Sequence, residues 1–467
     1  MQDRAVRRPS TRSRRVANGR EEQLSYVLKT VEERAVRFIQ LWFTDVLGTP
    51  KSFSITPAEL ERALEEGMTF DGSAIDGFSR VQESDVLAKP DATTFQVLPW
   101  REDGTTVARV FCDILNLDGQ PFEGCPRHVL RRSLARAKST GFECYVAPEI
   151  EYFYFHQGDA KAPSAKVEPL DKGSYFELTV GDLGTRIRQQ TVMTLEDMGI
   201  PVEYAQHEDA PGQHEIDLRH TDALTMADNV MTARLVIKEV AQRNGILASF
   251  MPKPMPGYQG SGMHTHISLF KQDANVFADP TDPVGLSATG RAFVAGLLRH
   301  GAEIAAVTNQ WVNSYKRLVP GYEAPVNVSW ARNNRSALVR VPVPKENRAE
   351  ARRIEYRAPD SACNPYLTFA LLLAAGIEGV LKGYELEVPE AMGDLYKLAP
   401  EELEKAGMQP LPASLHEAVE LMEHSELAHE TLGDHVFHWF IRNKRREWDA
   451  YATEVSQFEL DRYLFQL

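Results

Sequence analysis

The sequence predicts an α+β fold, and three observations predict it. Short segments with functional side chains at i and i+2, namely YVAPEIEYFYF, GQHEIDLRH, SGMHTHISLF, SALVRVPVP and RRIEYRAP, read as strands, because i and i+2 share one face of a strand. Amphipathic stretches such as TRIRQQTVMTLEDMG and NVMTARLVIKEVAQRNG separate them as helices. No internal repeat or long low-complexity linker interrupts the pattern, and 467 residues suffice for two or three domains around sizeable cores.

Residues 1–20 hold seven arginines and no apolar run, so they lack the hydrophobic stretch of a secretory signal and read as a disordered basic tail. From Glu21 the apolar positions Leu24, Val27, Leu28 and Val31 fall at helical spacing, and VRFIQLWFTDVLG follows as a strand. Phe95 to Ile114, rich in Val, Ile and Phe and bounded by Gly and Pro, supplies further strands, so residues 21–120 form a small α+β domain. Pro126 suits the first turn of a helix that closes on Gly141. The strands with paired functional groups then occupy residues 121–467, as a larger domain. Tyr366 to Ile377 is the strongest apolar run; it falls short of the ~20 residues that span a bilayer and reads as a buried helix.

A net charge of −14 argues against nucleic-acid binding, which needs a basic face. Four cysteines with no C-x-x-C pair favour a reducing compartment, by default the cytoplasm, over a thiolate metal site. The chemistry is instead carried by carboxylates. Glu149 and Glu151 share a strand face, Glu208 and Glu215 flank a Pro-Gly turn, His264 and His266 share a face, and Glu355 sits between Arg353 and Arg357. For the first pair alone, a solvated strand face is an equal reading. Together, carboxylate oxygens with an imidazole suit Mg²⁺ or Mn²⁺. Arg317, Arg335, Arg340, Arg353 and Arg357 add planar cations that grip phosphate and carboxylate, so the set points to phosphoryl chemistry on an anionic substrate. Neither a Walker motif nor G-x-G-x-x-G is present.

In order and approximate spacing, FDGSAIDGF, PEIEYF, HEDAPGQHEID, MPKPMPGYQGSGMHTHISL, NSYKRLVPGYEAP, NRSALVRVP and RRIEYRAPDSACNPYL resemble the bacterial type I glutamine synthetases from about residue 22 onward. The resemblance implies an N-terminal β-grasp domain, a catalytic domain with a curved antiparallel sheet, and a dodecamer of two six-membered rings. It implies two or more Mg²⁺ or Mn²⁺ ions per site, one held by Glu151, Glu208 and Glu215, the other by Glu149, His264 and Glu355. ATP is implied as co-substrate, beside Glu203, His266, Ser268 and Arg353, with Arg335 and Arg340 at the transferring phosphoryl group. Arg317, Arg357 and Gly260 match the glutamate positions and Glu323 the flap glutamate. Asp71, from a neighbouring subunit, matches the base that deprotonates ammonium, in a pocket completed by Tyr175 and Glu208.

Three positions depart from that pattern. Ala74 stands where many members carry a serine, Gln259 where they carry an asparagine, and Glu350 where some carry a lysine. The first two leave room for a larger amine, so a γ-glutamylamine synthetase stands beside the ammonia ligase as a reading, with a catalytically silent homologue as the rival of another class. Tyr396 resembles a loop tyrosine modified in one branch, whereas Arg80 resembles the branch inhibited by glutamine; an ordinary surface tyrosine is the simpler reading.

Overall fold

The computed structural model describes residues 11–78, 85–100, 104–158, 168–178, 180–344, 351–393, 395–398 and 400–467, and of residues 11–18, 20 and 400 the helical backbone alone. Arg80 and Glu350 lie outside the described residues. Two compact units result, Met1–Asp45 with Thr49–His128, and Val46–Gly48 with Val129–Leu467.

The first unit begins with the helix Thr11–Glu33. Its start precedes the expected Glu21, so residues 11–20 are helical where an irregular tail was expected; the segment after Pro9 holds no breaker until Gly19, and propagating a helix already nucleated is easy. The strands are β1 (Val36–Thr44), β2 (Pro50–Ile55), β3 (Met68–Asp71), β4 (Asp85–Pro90), β5 (Gln96–Val97) and β6 (Thr106–Leu115). They form a sheet in the order β2-β1-β6-β4-β3, with β5 on β6. β1 runs parallel to β6, and the other pairs are antiparallel. One face packs Leu41, Phe43, Val86 and Val110 against Leu60, Ala63 and Leu64 of the helix Pro57–Glu66.

The second unit contains β7 (Glu143–His156), β8 (Val202–His207), β9 (Gln213–Leu218), β10 (Thr221–Asp222), β11 (Ile246–Ser249), β12 (Thr265–Lys271), β13 (Ala274–Asn275), β14 (Trp330–Ala331), β15 (Val339–Arg340) and β16 (Ile354–Tyr356). The order is β14-β15-β16-β12-β7-β9-β8, with β10 and β11 on β7 and β13 on β12. The expected antiparallel arrangement holds except at β14, which pairs parallel with β15. SALVRVPVP contributes only Val339–Arg340 to the sheet, since its two prolines cannot donate to a ladder.

The helix Ala223–Arg243 packs against β7 and β11 of this sheet and Ala288–His300 touches β15, while Pro365–Lys382 packs on both of these helices. The last is longer than the apolar run read from the sequence, and by length and composition could cross a membrane; 72% of it is buried. A helix apolar on all sides is what a core demands. Its crossing with Ala288–His300 is close, because a Cβ on Gly296 would fall 2.2 Å from the Ala375 carbonyl.

Candidate active site

The register of the second sheet explains how residues far apart in sequence reach one place. Residues directly opposite on neighbouring strands point to the same side. Glu151 pairs with Glu215, which pairs with Gln206; Glu149 pairs with Asp217, which pairs with Tyr204. On the other flank of β7, Ala147 pairs with His266, His266 with Glu355, and Glu355 with Arg340. Two cross-strand rows of acid thus adjoin a row of imidazole, carboxylate and guanidinium. Of these, Glu149, Glu151, Tyr204, Gln206, Glu215, His266 and Arg340 line a cleft together with Tyr175, Glu208, Gly260, Arg317, Glu323, Arg335, Arg353 and Arg357.

Glu149 is the pivot. Its Oε2 lies 3.0 Å from His264 Nδ1 and its Oε1 2.7 Å from His266 Nε2. Burial opposes its ionisation, but these two imidazoles hold the carboxyl well below the usual range. Arg353 Nε donates to His266 Nδ1 at 3.2 Å, which leaves Nε2 of that ring to carry the proton toward Glu149. Burial and the nearby Arg357 push the His264 imidazole down to about 4, so it is neutral at pH 7 and able to donate an electron pair.

Glu151 is fixed by Gly262 N at 2.8 Å and Gln213 Nε2 at 3.0 Å. Burial, then repulsion from Glu208, pushes its carboxyl up to about 8. Burial and Asp217 raise Glu215 well above the ordinary value, and burial with Glu149 raises Asp217 to about 8. Gln206 Nε2 spans two of the acids, donating to Glu208 Oε1 at 2.9 Å and Glu215 Oε2 at 2.5 Å.

This crowding tests the metal assignment. Buried carboxyls that repel one another and resist ionisation fit a divalent cation, and oxygen donors with one imidazole fit Mg²⁺ or Mn²⁺. Donor atoms of Glu149, His264 and Glu355 lie within 4.8 Å of one another, as do those of Glu149, Glu215 and Asp217. Asp217 was missed in the sequence reading. Its signal was there, because it follows Glu215 at i+2 and shares its face.

Arginines line the same cleft. Glu355, fully buried, accepts from both Arg340 and Arg357. Arg357 Nε also donates to the Arg335 carbonyl at 2.9 Å, and Arg335 NH1 reaches the Tyr175 hydroxyl at 3.5 Å. Arg317 is buried and held by the carbonyls of Ala358 at 2.7 Å and Arg357 at 3.3 Å. Gly260 admits no side chain, since a Cβ there would fall 2.1 Å from the Pro252 carbonyl. Glu323 lines the cleft with φ of 56°, a left-handed conformation uncommon for a non-glycine residue. Tyr396, half-buried, donates its hydroxyl to Ala324 O at 2.8 Å beside Glu323.

Two residues of the second unit expected beside the nucleotide lie outside the cleft lining. Glu203 is exposed on β8, and Ser268 Oγ lies 3.5 Å from Arg352 O; neither lines the cleft. Asp71 and Ala74 belong to the first unit, where Asp71 Oδ1 accepts from Ser73 N at 2.8 Å. Gln259 does line the cleft.

Comparison with known proteins agrees with this geometry. Residues 123–463 match the model of the glutamine synthetase catalytic domain, and residues 35–117 that of the glutamine synthetase beta-grasp domain. The chain is 56% identical over 448 residues to a glutamine synthetase of Mycolicibacterium smegmatis, covering 95% of this chain and 99% of that one. A glutamine synthetase of Thermotoga maritima is 46% identical over 439 residues, with coverage of 94% and 99%. The solved GmaS/ADP complex superposes with a TM-score of 0.83 at 30% identity, covering 94% of this chain and 99% of that one. From the β-grasp sheet to the acid-lined cleft, the chain belongs to the bacterial type I glutamine synthetase family.

Proposed function

We propose that the protein ligates ammonia to the γ-carboxylate of L-glutamate at the expense of ATP, through a γ-glutamyl phosphate. The observation that carries this reading is the gathering of the carboxylates Glu149, Glu151, Glu208 and Glu215 with Arg317, Arg335, Arg340 and Arg357 in one cleft. A carboxylate is a poor electrophile. When its oxygen attacks the γ-phosphorus of ATP, ADP departs and the carboxyl carbon acquires phosphate as a leaving group; ammonia then attacks that carbon and phosphate leaves.

Two divalent cations, held by Glu151, Glu208 and Glu215 and by Glu149, His264 and Glu355, would neutralise charge on glutamate and on the phosphates. Arg317 and Arg357, fixed by backbone carbonyls and by Glu355, are preorganised to hold the substrate carboxylate. Arg335 and Arg340 face the transferring phosphoryl group, and losing one such donor costs about 10²–10³ in rate. Glu203, His266, Ser268 and Arg353 are assigned to the nucleotide. Tyr175 and Glu208 attract ammonium, and Asp71 of a neighbouring subunit takes its proton. Glu323 shields the acyl phosphate from water. A dodecamer with shared sites in the cytoplasm completes the reading.

Gln259 in the cleft favours one second reading, a γ-glutamylamine synthetase accepting a larger amine such as ethanolamine or a polyamine. Phosphate release from ATP with glutamate and Mg²⁺, comparing ammonium with ethanolamine, putrescine and spermine, decides between them. Turnover with ammonium and a glutamine product by mass spectrometry supports the ligase. Turnover with the larger amines alone overturns it in favour of the second reading.

A further inference from the structure

Asp171 lies in the loop that returns from β7, outside every motif of the active site, yet its carboxylate is the meeting point of three segments that build the site. Its Oδ1 accepts from Gly173 N at 3.0 Å, in the loop that carries Tyr175. The same oxygen accepts from His207 Nε2 at 2.9 Å, at the end of β8 immediately before Glu208. It accepts again from Gly212 N at 2.8 Å, in the turn between Glu208 and Glu215. Oδ2 stands 3.6 Å from Nε2 of the fully buried His214. Arg188 NH1 approaches His214 Nδ1 at 2.5 Å, which places the ring proton on Nε2, toward Asp171.

The loop passes so close to the His207 ring that Gly173 has no room for a side chain. A Cβ on Gly173 would fall 2.5 Å from His207 Nε2. Phe176 N reaches the His207 carbonyl at 3.1 Å, so the loop is fastened on both sides of Tyr175. Burial opposes ionisation of Asp171, but hydrogen bonds from His207, Gly212 and Gly173, with the His214 ring close by, hold the carboxyl far below its ordinary range.

We propose that Asp171 is a positioning residue which, by tying the Tyr175 loop to the Glu208–Glu215 turn, sets the geometry of the amine side of the cleft. This rests on the ligase reading above for its kinetic consequence, though not for the anchoring itself. Asp171 does not line the cleft and acts through Tyr175 and Glu208. In its absence the two segments retain their sequence and lose their common fixed point.

The test compares wild type with Asp171→Ala and Asp171→Asn in the full chain, by amide hydrogen exchange and by steady-state kinetics. In Asp171→Ala, peptides covering residues 170–178 and 208–213 exchange faster while the helix Pro365–Lys382 is unchanged, and KM for ammonium rises roughly tenfold with KM for ATP nearly constant. Asp171→Asn keeps an acceptor for the glycine amides and recovers part of both effects. Unchanged exchange in the two peptides overturns the proposal, and so does an equal rise in both KM values. Should wild type turn over with no amine at all, the ligase reading falls, while the exchange data still decide the anchoring.

Discussion

Glu151 and Gly262 hold each other in both directions. Gly262 N donates to the Glu151 carboxylate at 2.8 Å, and Glu151 N donates to the Gly262 carbonyl at 3.1 Å. The strand therefore positions the loop ahead of His264, and the loop orients a carboxylate of the strand. A Cβ on Gly262 would fall 2.6 Å from Arg317 NH2 and 3.1 Å from Glu151 Oε1. Gly262→Ala should displace both walls of the cleft. A fall in kcat/KM of about 10²-fold is expected in phosphate-release assays, with little change in far-UV circular dichroism.

Glu355 supports two guanidinium groups from a fully buried position. Glu355→Gln keeps the shape and removes the charge, leaving Arg340 and Arg357 without their counter-ion. Breaking a buried pair in this way costs about 3–5 kcal/mol, so the melting temperature should fall. Phosphate release should be abolished, and full activity in this variant would remove Glu355 from the assignment.

A carboxyl raised on folding retains a proton that the unfolded chain has already lost. For Glu151, with its ordinary value at 4.5 and its folded value at about 8, the stabilising contribution is complete below about pH 4.5 and is lost as pH rises toward 8. Burial is the main cause; Glu208 and Glu149 add repulsion, while Arg317 and the Gly262 amide oppose it. The metal-free protein should therefore melt at progressively lower temperature from pH 5 to pH 8. Added Mn²⁺ should restore it by an increment that grows over the same window, because the cation replaces the proton. Differential scanning calorimetry at three pH values, with and without Mn²⁺, reads both; an increment that does not change with pH would contradict the linkage.

Glu323 adopts a left-handed backbone, which costs a non-glycine residue about 1–3 kcal/mol. Glu323→Gly should relieve that strain and leave the melting temperature unchanged or higher. Function should suffer in a specific way: with the acyl phosphate open to water, phosphate released should exceed amide formed. Measuring both products in one reaction gives the ratio, and a ratio of one in the variant would show that Glu323 shields nothing.

What could be read from the sequence follows from the geometry of strands. Glu149, Glu151, His266 and Glu355 were legible because a period of two reveals which residues share a face, and their register in the folded sheet then brings them together. Asp217 obeys the same rule and was passed over. Gln206 and Asp171 left no comparable trace, since a side chain that bridges two acids or pins a loop acts through contacts with no sequence period. The parallel pairing of β14 with β15 was invisible for a similar reason: two-residue strands carry too little pattern to set a direction.

On β7, Glu149 and Glu151 alternate with Ile150 and Tyr152, both of them fully buried on the opposite side. A slip of one residue in this strand would thrust two acids into hydrocarbon and bring an isoleucine and a tyrosine into the cleft. No such slip can be silent. The alternation that equips the strand for chemistry therefore also acts as a proofreader during folding, rejecting misaligned sheets before any substrate is met.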